Sequence, residues 1–132
     1  MAVRFDAIKN PLEELVHSGK NAADILCPKD NCNCMIFRAN TATWVERDGS
    51  KLSLPDNVLP DNVGPLADDA NEIHFWRVTN MMDFENVGFS KAVGPVKYLS
   101  CADCDIGPLG YHDTTTEPKE FLICARRARY RF

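Results

Sequence analysis

No stretch of the 132-residue sequence approaches the ~18 consecutive apolar residues that a membrane-spanning helix needs. The first ten residues, Met1 to Asn10, hold no continuous apolar run of the kind a secretory signal requires. Histidine is scarce and dispersed: His17, His74 and His112 each read as a surface or core side chain rather than a metal ligand. No glycine period is present, and 45% hydrophobic against 26% charged residues is the balance of an ordinary soluble globular protein. These absences exclude membrane spans, collagen-like repeats and wholesale disorder. The length matches one domain, since domains cluster at roughly 100–150 residues. The expectation is a single domain over residues 1–132, monomeric, without membrane insertion and in a reducing, cytoplasmic compartment.

Basic charge is also short, and uneven. The chain carries 15 basic and 19 acidic residues, a net of −4. Four of the basic residues, Arg126, Arg127, Arg129 and Arg131, sit in the last seven positions. The first 125 residues therefore hold 11 basic and 19 acidic groups, a net of 11 − 19 = −8. An acidic body repels phosphate backbones, which argues against nucleic acid as a partner. It suits a basic partner surface or a cation at the working site.

What the chain does have is β-forming segments separated by turn signals. Met35 to Ala39, Thr41 to Val45, Ile73 to Val78, Val96 to Ser100 and Phe121 to Ala125 read as strands, with Asn40 as a turn residue. Arg47-Asp48-Gly49-Ser50 reads as a hairpin turn returning through Lys51 to Leu54. The pattern predicts a mainly β, antiparallel protein. Residues 1–24 read as an N-terminal arm with a short helix: Asn10 can cap, Pro11 fits the first helical position, and Glu13 can reach back. Leu12, Leu15 and Val16 would share its apolar face, and Gly19 would end it after about two turns. Residues 53–72 contain the tandem pentapeptide Leu54-Pro-Asp-Asn-Val58 and Leu59-Pro-Asp-Asn-Val63, and read as a mobile acidic loop. Residues 126–132 read as a basic tail.

Six cysteines, at 27, 32, 34, 101, 104 and 124, are the strongest chemical signal. A reducing compartment disfavours structural disulfides, and the spacing points to metal instead. Cys101-Ala102-Asp103-Cys104 is a CxxC leaving a predicted strand, with Gly107 able to supply a left-handed turn. Pro108 and Gly110 make the helix that follows a redox CxxC improbable on sequence grounds. Cys27 and Cys32 form a second pair at C-x4-C. Two pairs give the four thiolates of a closed tetrahedral zinc, whose ligand spacings are usually two to four residues. Cys34 could replace Cys32, which the spacing favours. The expected cofactor is one structural Zn²⁺ on Cys27, Cys32, Cys101 and Cys104.

Two longer strings accompany these cysteines. One is Phe84-Glu-Asn-Val-Gly-Phe-Ser90, the other Lys97-Tyr-Leu-Ser-Cys-Ala-Asp-Cys-Asp-Ile-Gly-Pro-Leu-Gly110. Together they resemble the Rab-interacting-factor family, zinc-binding guanine-nucleotide-exchange proteins of small Rab GTPases. The likeness runs from about Leu26 to Ala125 and is dense from Trp76 to Gly110. It implies a β-tent, two antiparallel sheets meeting around a four-cysteine zinc. It also implies binding to nucleotide-free Rab proteins of secretory vesicle transport and slow promotion of nucleotide release, as exchange factor or chaperone. The family commonly has C-x2-C at the first knuckle where this chain has C-x4-C.

An exchange factor makes and breaks no covalent bond; it needs an apolar platform and some acidic groups that compete with phosphate or Mg²⁺ contacts. Met81, Met82 and Phe84, followed by Glu85 and Asn86, are the candidate platform, with Asp103 and Asp105 as the acids beside the second knuckle. In a strand, Met81 and Met82 would face opposite ways and leave one exposed. Two other readings compete. One is a methionine-sulfoxide-reductase-like enzyme using Cys124, disfavoured by the apolar residues around that thiol. The other is a zinc-ribbon nucleic-acid module using the arginine-rich end.

Overall fold

A computed structural model describes residues 2–29, 32, 34–47, 73–89, 94–103, 109–115 and 119–132. In chain order the strands are β1 (Ala2–Arg4), β2 (Val16–His17), β3 (Lys20–Asn21), β4 (Asp24–Leu26), β5 (Met35–Phe37) and β6 (Thr43–Glu46). They continue with β7 (His74–Val78), β8 (Val87–Phe89), β9 (Val96–Cys101), β10 (Gly110–Asp113), β11 (Phe121–Cys124) and β12 (Arg129–Arg131). Among the described residues helix is limited to one α-turn, Pro11–Glu14, and three-residue 3-10 turns. The strands are antiparallel, as their pattern predicts, and form two sheets, as the resemblance implies. One has four strands in the order β1-β12-β4-β5; the other has eight in the order β2-β3-β6-β7-β11-β10-β9-β8.

The main core lies between the sheets. Ile25, Phe37 and Tyr130 of the smaller sheet meet Trp76, Val78, Leu99, Phe121 and Ile123 of the larger. Strand alternation supplies a second core on the far face of the larger sheet, where Phe75, Tyr98, Tyr111, Leu122 and Cys124 cluster. All four β11 residues are buried for this reason: Phe121 and Ile123 point to one core, Leu122 and Cys124 to the other. Trp76 Nε1–H donates to the Tyr130 hydroxyl at 3.0 Å, and that hydroxyl donates to Ala125 O at 2.5 Å. The polar tips of both large rings are thus satisfied inside the core, as burial of Trp and Tyr requires.

One buried side chain and one close backbone approach fix this arrangement. Asn21, buried at the end of β3, uses all four of its side-chain hydrogen-bonding positions. Its amide nitrogen donates to Ala23 O at 2.8 Å and Arg38 O at 2.9 Å. Its Oδ1 accepts from the backbone N–H groups of Thr41 at 2.9 Å and Ala42 at 2.8 Å. The residue sits in the larger sheet and holds the chain entering β4 and leaving β5 of the smaller one. Gly110, in β10, stands so close to β11 that a Cβ there would lie 1.7 Å from Leu122 O. Only glycine permits that pairing.

Several expectations are corrected. The N-terminal helix is one turn, not two: Leu15 N–H donates to Pro11 O, and Val16 already belongs to β2. Gly19 does not cap a helix but closes the β2–β3 hairpin. Ser18 and Gly19 both have positive φ, 53° and 82°, the requirement of a type I′ two-residue turn. Leu12 therefore faces solvent at 63% exposure while Leu15 is fully buried. Glu14, rather than Glu13, accepts from Asn10 N–H at 3.0 Å. Residues 126–132 are not a tail: Ala125–Arg127 form a 3-10 turn and β12 lies between β1 and β4, with Arg127 and Arg129 buried. The hairpin turn at Asp48 to Ser50, the strand at 51–54 and the acidic loop at 53–72 lie outside the described residues.

Asn21→Ala would strand two buried or half-buried donors and two acceptors, and is expected to lower stability by about 3–5 kcal/mol, read from urea unfolding. Asn21→Asp, which keeps the acceptors and loses the donors, is also expected to destabilise. Gly110→Ala is expected to lower the melting temperature far more than Gly88→Ala, whose Cβ would meet Ser100 Oγ at an ordinary 3.7 Å.

Candidate functional site

The cysteines converge where the two sheets meet. Cys27 follows β4 of the smaller sheet, and Cys101 ends β9 of the larger, opposite Val87 of β8. The loop after Cys27 turns back on itself: Cys32 N–H donates to Lys29 O at 3.1 Å, and Cys27 N–H to Cys34 O at 2.9 Å. The Sγ atoms of Cys27, Cys32 and Cys101, all buried, lie within 4.8 Å of one another. Cys32 and Cys101 are 3.8 Å apart at sulfur. Sulfurs about 2.3 Å from a tetrahedral zinc would be separated by about 3.8 Å, so this edge already has the required length. The three described thiols are thus close enough to serve as three ligands of one ion, and the donor set fits a thiophilic divalent cation. Cys104, the expected fourth ligand, and Asp105 lie outside the described residues.

A second donor group shares Cys32. It consists of Cys32, half-buried Cys34 and exposed Asp103, again with donor atoms within 4.8 Å of one another. Burial first, then the hydrogen bond to Cys32 and the nearby sulfurs and carboxylate, push the Cys34 thiol up to about 12. Crowded anionic ligands oppose one another's ionisation, and a bound divalent cation inverts that relation. None of Cys27, Cys32, Cys34, Cys101 and Cys124 is in a disulfide. Among the described residues no histidine joins either donor group. His74 stacks on Trp44 at 5.0 Å and His112 on Phe121 at 4.1 Å.

Sequence reasoning missed Arg129. Its buried guanidinium donates from Nε to Cys27 O at 2.7 Å and from Nη2 to Cys32 O. One side chain from the last strand therefore ties both carbonyls of the first cysteine pair. It also places a permanent positive charge beside a group of potential thiolates. The visible signal was the arginine-rich end, but charge there suggested solvent exposure.

The expected platform lies next to the cysteines through the backbone. Glu85 N–H donates to Ile36 O at 3.0 Å, and Ala102 N–H, in the second knuckle, to Asn86 O at 3.0 Å. Met81–Asp83 is a 3-10 turn rather than a strand, capped by Asn80 Oδ1, which accepts from Met82 N–H at 2.9 Å. Because the turn projects from the sheet, both methionines are exposed, Met81 at 53% and Met82 at 80%. Phe84 is half-buried against the main core, stacked on Phe37 at 4.9 Å. Phe89, another missed residue, is exposed and meets Phe84 edge-on at 6.4 Å. Glu85 pairs with Arg38 at 2.5 Å on the surface. Asn86 donates from Nδ2 to Met35 O at 2.9 Å, so its side chain joins the platform to β5.

The rival sites look different. Cys124 is fully buried among Phe75, Tyr98, Tyr111 and Leu122, the setting of an inert thiol. Burial of Arg127 and Arg129 removes two of the four arginines from any surface stripe. No helix among the described residues is long and apolar enough to cross a membrane.

Two antiparallel sheets joined at one end by converging thiols that could hold a metal ion, with an exposed apolar turn beside them, define a small β protein with one candidate metal centre among the described residues. The chain belongs to the Mss4 protein family, whose model matches residues 20–129. It is 38% identical over 107 residues to a guanine nucleotide exchange factor MSS4 homolog of Drosophila melanogaster, covering 78% of this chain and 81% of that protein. It is 36% identical over 59 residues to a guanine nucleotide exchange factor MSS4 homolog of Schizosaccharomyces pombe, covering 44% of this chain and 58% of that protein. The matched segment of the family model includes both cysteine regions, the Met81 turn and Arg129.

Cys101→Ser is expected to lose bound metal and the cooperative fold together, since structural zinc contributes on the order of 10–16 kcal/mol at neutral pH. Elemental analysis and thermal melting of the same sample check this. Metal retention is also expected to fall as pH is lowered, because each ligating thiol must shed a proton. Arg129→Lys cannot reproduce the two-carbonyl contact and is expected to weaken metal affinity roughly 10–100-fold, measured by chelator competition.

Proposed function

We propose that this protein binds a Rab-type small GTPase, preferentially in its nucleotide-free form, and promotes release of guanine nucleotide in vesicle transport. The observation that carries the reading is the exposed Met81-Met82 turn, tied through Glu85 to β5 and through Asn86 to the second cysteine knuckle. The relatives named as guanine nucleotide exchange factors support it. Such an activity proceeds by binding rather than by covalent catalysis. A surface that holds the empty GTPase more tightly than the loaded one must, by linkage, weaken nucleotide binding by the same factor.

Met81 and Met82 supply adaptable contact area, followed in the chain by Phe84, which packs on the core and meets Phe89 edge-on. Asp103, and Asp105 with it, supply negative charge that competes with phosphate and Mg²⁺ contacts. Glu85 adds charge at the rim, tempered by Arg38. Asn86 positions the platform. One structural Zn²⁺ on Cys27, Cys32, Cys101 and Cys104 would fix the knuckle that carries Asp103; its borderline-soft, redox-inert character suits thiolate ligands. Reduced thiols fit a cytoplasmic setting.

Met82→Ala and Asp103→Ala are each expected to weaken binding to a purified nucleotide-free Rab by roughly 1–3 kcal/mol. Release of a fluorescent GDP analogue should slow in proportion, while metal content and melting temperature stay at parental values. If both variants bind as well as the parent, the contact surface lies elsewhere.

A further inference from the structure

Leu12 is an apolar residue that the core leaves out. It is exposed on the turn that Pro11 opens, while Leu15 takes the core position. It lines a cleft of about 440 Å³ whose lining includes none of the cysteines, the methionine turn or Asp103. We propose that this cleft binds a free small molecule, an aromatic monocarboxylate, with its ring against Trp44 and its carboxylate on Arg126.

Three segments build the cleft. The chain from β1 through the α-turn brings Phe5, Asn10, Pro11 and Leu12; the β6–β7 pair brings Trp44, Ile73 and His74; the 3-10 turn after β11 brings Arg126. Trp44 and His74 lie on neighbouring strands two positions apart in register, since Trp44 faces Trp76 and Glu46 faces His74. Their rings stack at 5.0 Å with planes 17° apart, within the range of offset aromatic pairs. Trp44 also meets buried Trp76 edge-on at 4.9 Å, which anchors this ring wall to the main core. The wall is therefore preformed, as small-molecule sites usually are, and the volume falls in their range of about 300–1,000 Å³.

The lining sets the chemistry of the occupant. Rings and aliphatic side chains dominate it, and Leu12 and Ile73 leave large apolar surface in water that a flat apolar ligand would cover. Arg126 is the one lining residue with a fixed charge. Its guanidinium stands 5.9 Å from the centre of the Phe5 ring, over the ring face. That contact leaves its five N–H donors in the plane of the group, able to serve several acceptors. One guanidinium suits one carboxylate, which it takes through two parallel hydrogen bonds. Asn10 adds a side-chain amide, which makes no capping bond to the turn it precedes. Charge also favours a small ligand over an acidic macromolecule. The first 125 residues carry 11 basic and 19 acidic groups, so the attraction for an anion is local to Arg126, and a large acidic partner meets repulsion from the rest of the body.

The test uses the full chain as purified under reducing conditions, with 2-naphthoate as the probe and 2-naphthamide as its neutral counterpart. Saturable binding of the acid is expected, read by backbone amide NMR shifts at Phe5, Trp44 and His74. The neutral amide should bind about tenfold more weakly, the scale of one lost charge-assisted contact. Arg126→Gln is expected to abolish that preference while leaving 2-naphthamide affinity unchanged. Leu12→Ser should weaken both probes by a similar factor. Both substitutions fall on exposed side chains, so melting temperature and binding to a nucleotide-free Rab should stay parental. A parent that binds neither probe at millimolar concentration, or binds both equally, overturns the site, as do shifts confined to Met81 and Met82. Full-strength 2-naphthoate binding by Arg126→Gln also overturns it. Should Arg126→Gln fail to fold, Leu12→Asp, which sets a negative charge in the cleft and should reverse the preference for the acid, carries the comparison. Failure of the site leaves the GTPase reading untouched, because the Rab-binding arm is measured separately.

Discussion

Three sulfur atoms contributed by segments of both sheets are held within 4.8 Å of one another, and the exposed methionine turn is tied to that junction. Crowding of this kind is unfavourable for bare thiolates and favourable once a divalent cation joins them, so the junction is stable in proportion to what occupies it. Two hydrogen bonds also bridge the sheets at this end, from Glu85 N–H to Ile36 O and from Asn86 Nδ2 to Met35 O. The link runs from Cys27 after β4, through the loop to Cys32, and across to Cys101 at the end of β9. From Cys101 the next residue, Ala102, holds Asn86, and Asn86 holds Met35 through its side chain. The exposed methionine turn is therefore positioned by the same few residues that position the sulfurs.

Arg129 and Asn21 act as polar counterparts of that junction. Each is a buried side chain whose hydrogen bonds go to backbone groups of chain entering or leaving the smaller sheet. A buried guanidinium is tolerable only where its donors are met, and the carbonyls of Cys27 and Cys32 meet them. A buried amide with four partners is likewise specific to one arrangement of the two sheets. The apolar core would accept small shifts of one sheet over the other; these polar contacts would not. Core burial supplies most of the stability, and the thiols, the arginine and the asparagine select which of the compatible arrangements forms.

The sequence made the strands legible wherever burial imposed alternation, as in β7, β9 and β11, because apolar β-formers there have only one regular conformation that fills both cores. It made the convergence of Cys27, Cys32 and Cys101 legible because two closely spaced thiol pairs are the pattern of donors brought together by the fold. It failed where charge or local pattern pointed one way and tertiary contact another. The arginine-rich end looked solvated, yet Tyr130 and Ala128 draw β12 inward and Arg129 finds carbonyl partners. The Leu12, Leu15 and Val16 spacing looked helical, but Ser18-Gly19 makes a tight hairpin that claims Val16 for a strand. Adjacent methionines looked like a strand with two faces, whereas capping by Asn80 folds them into a projecting turn. Asn21 and Gly110 carried no signal at all, since their roles exist only once β3 meets the β4 and β5 loops and β10 meets β11.

On the proposed reading, the shape of the molecule explains how binding alone can expel a nucleotide. Association carries a large entropic penalty, and each mobile side chain ordered at an interface adds to it. Here the exposed apolar contacts include two methionines, whose unbranched side chains adapt to a partner. The neighbouring residues are held in place: Phe84 by Phe37, Asn86 by Met35, Ala102 by Asn86. A stiff base with a soft tip gains most from a partner segment that has lost its own ligand and is free to conform to it. A nucleotide-loaded GTPase, whose phosphate-binding segments are already held, offers less of that gain. The difference between the two affinities is the whole of the activity, and it depends on the base staying rigid, which returns the function to the thiols at the sheet junction.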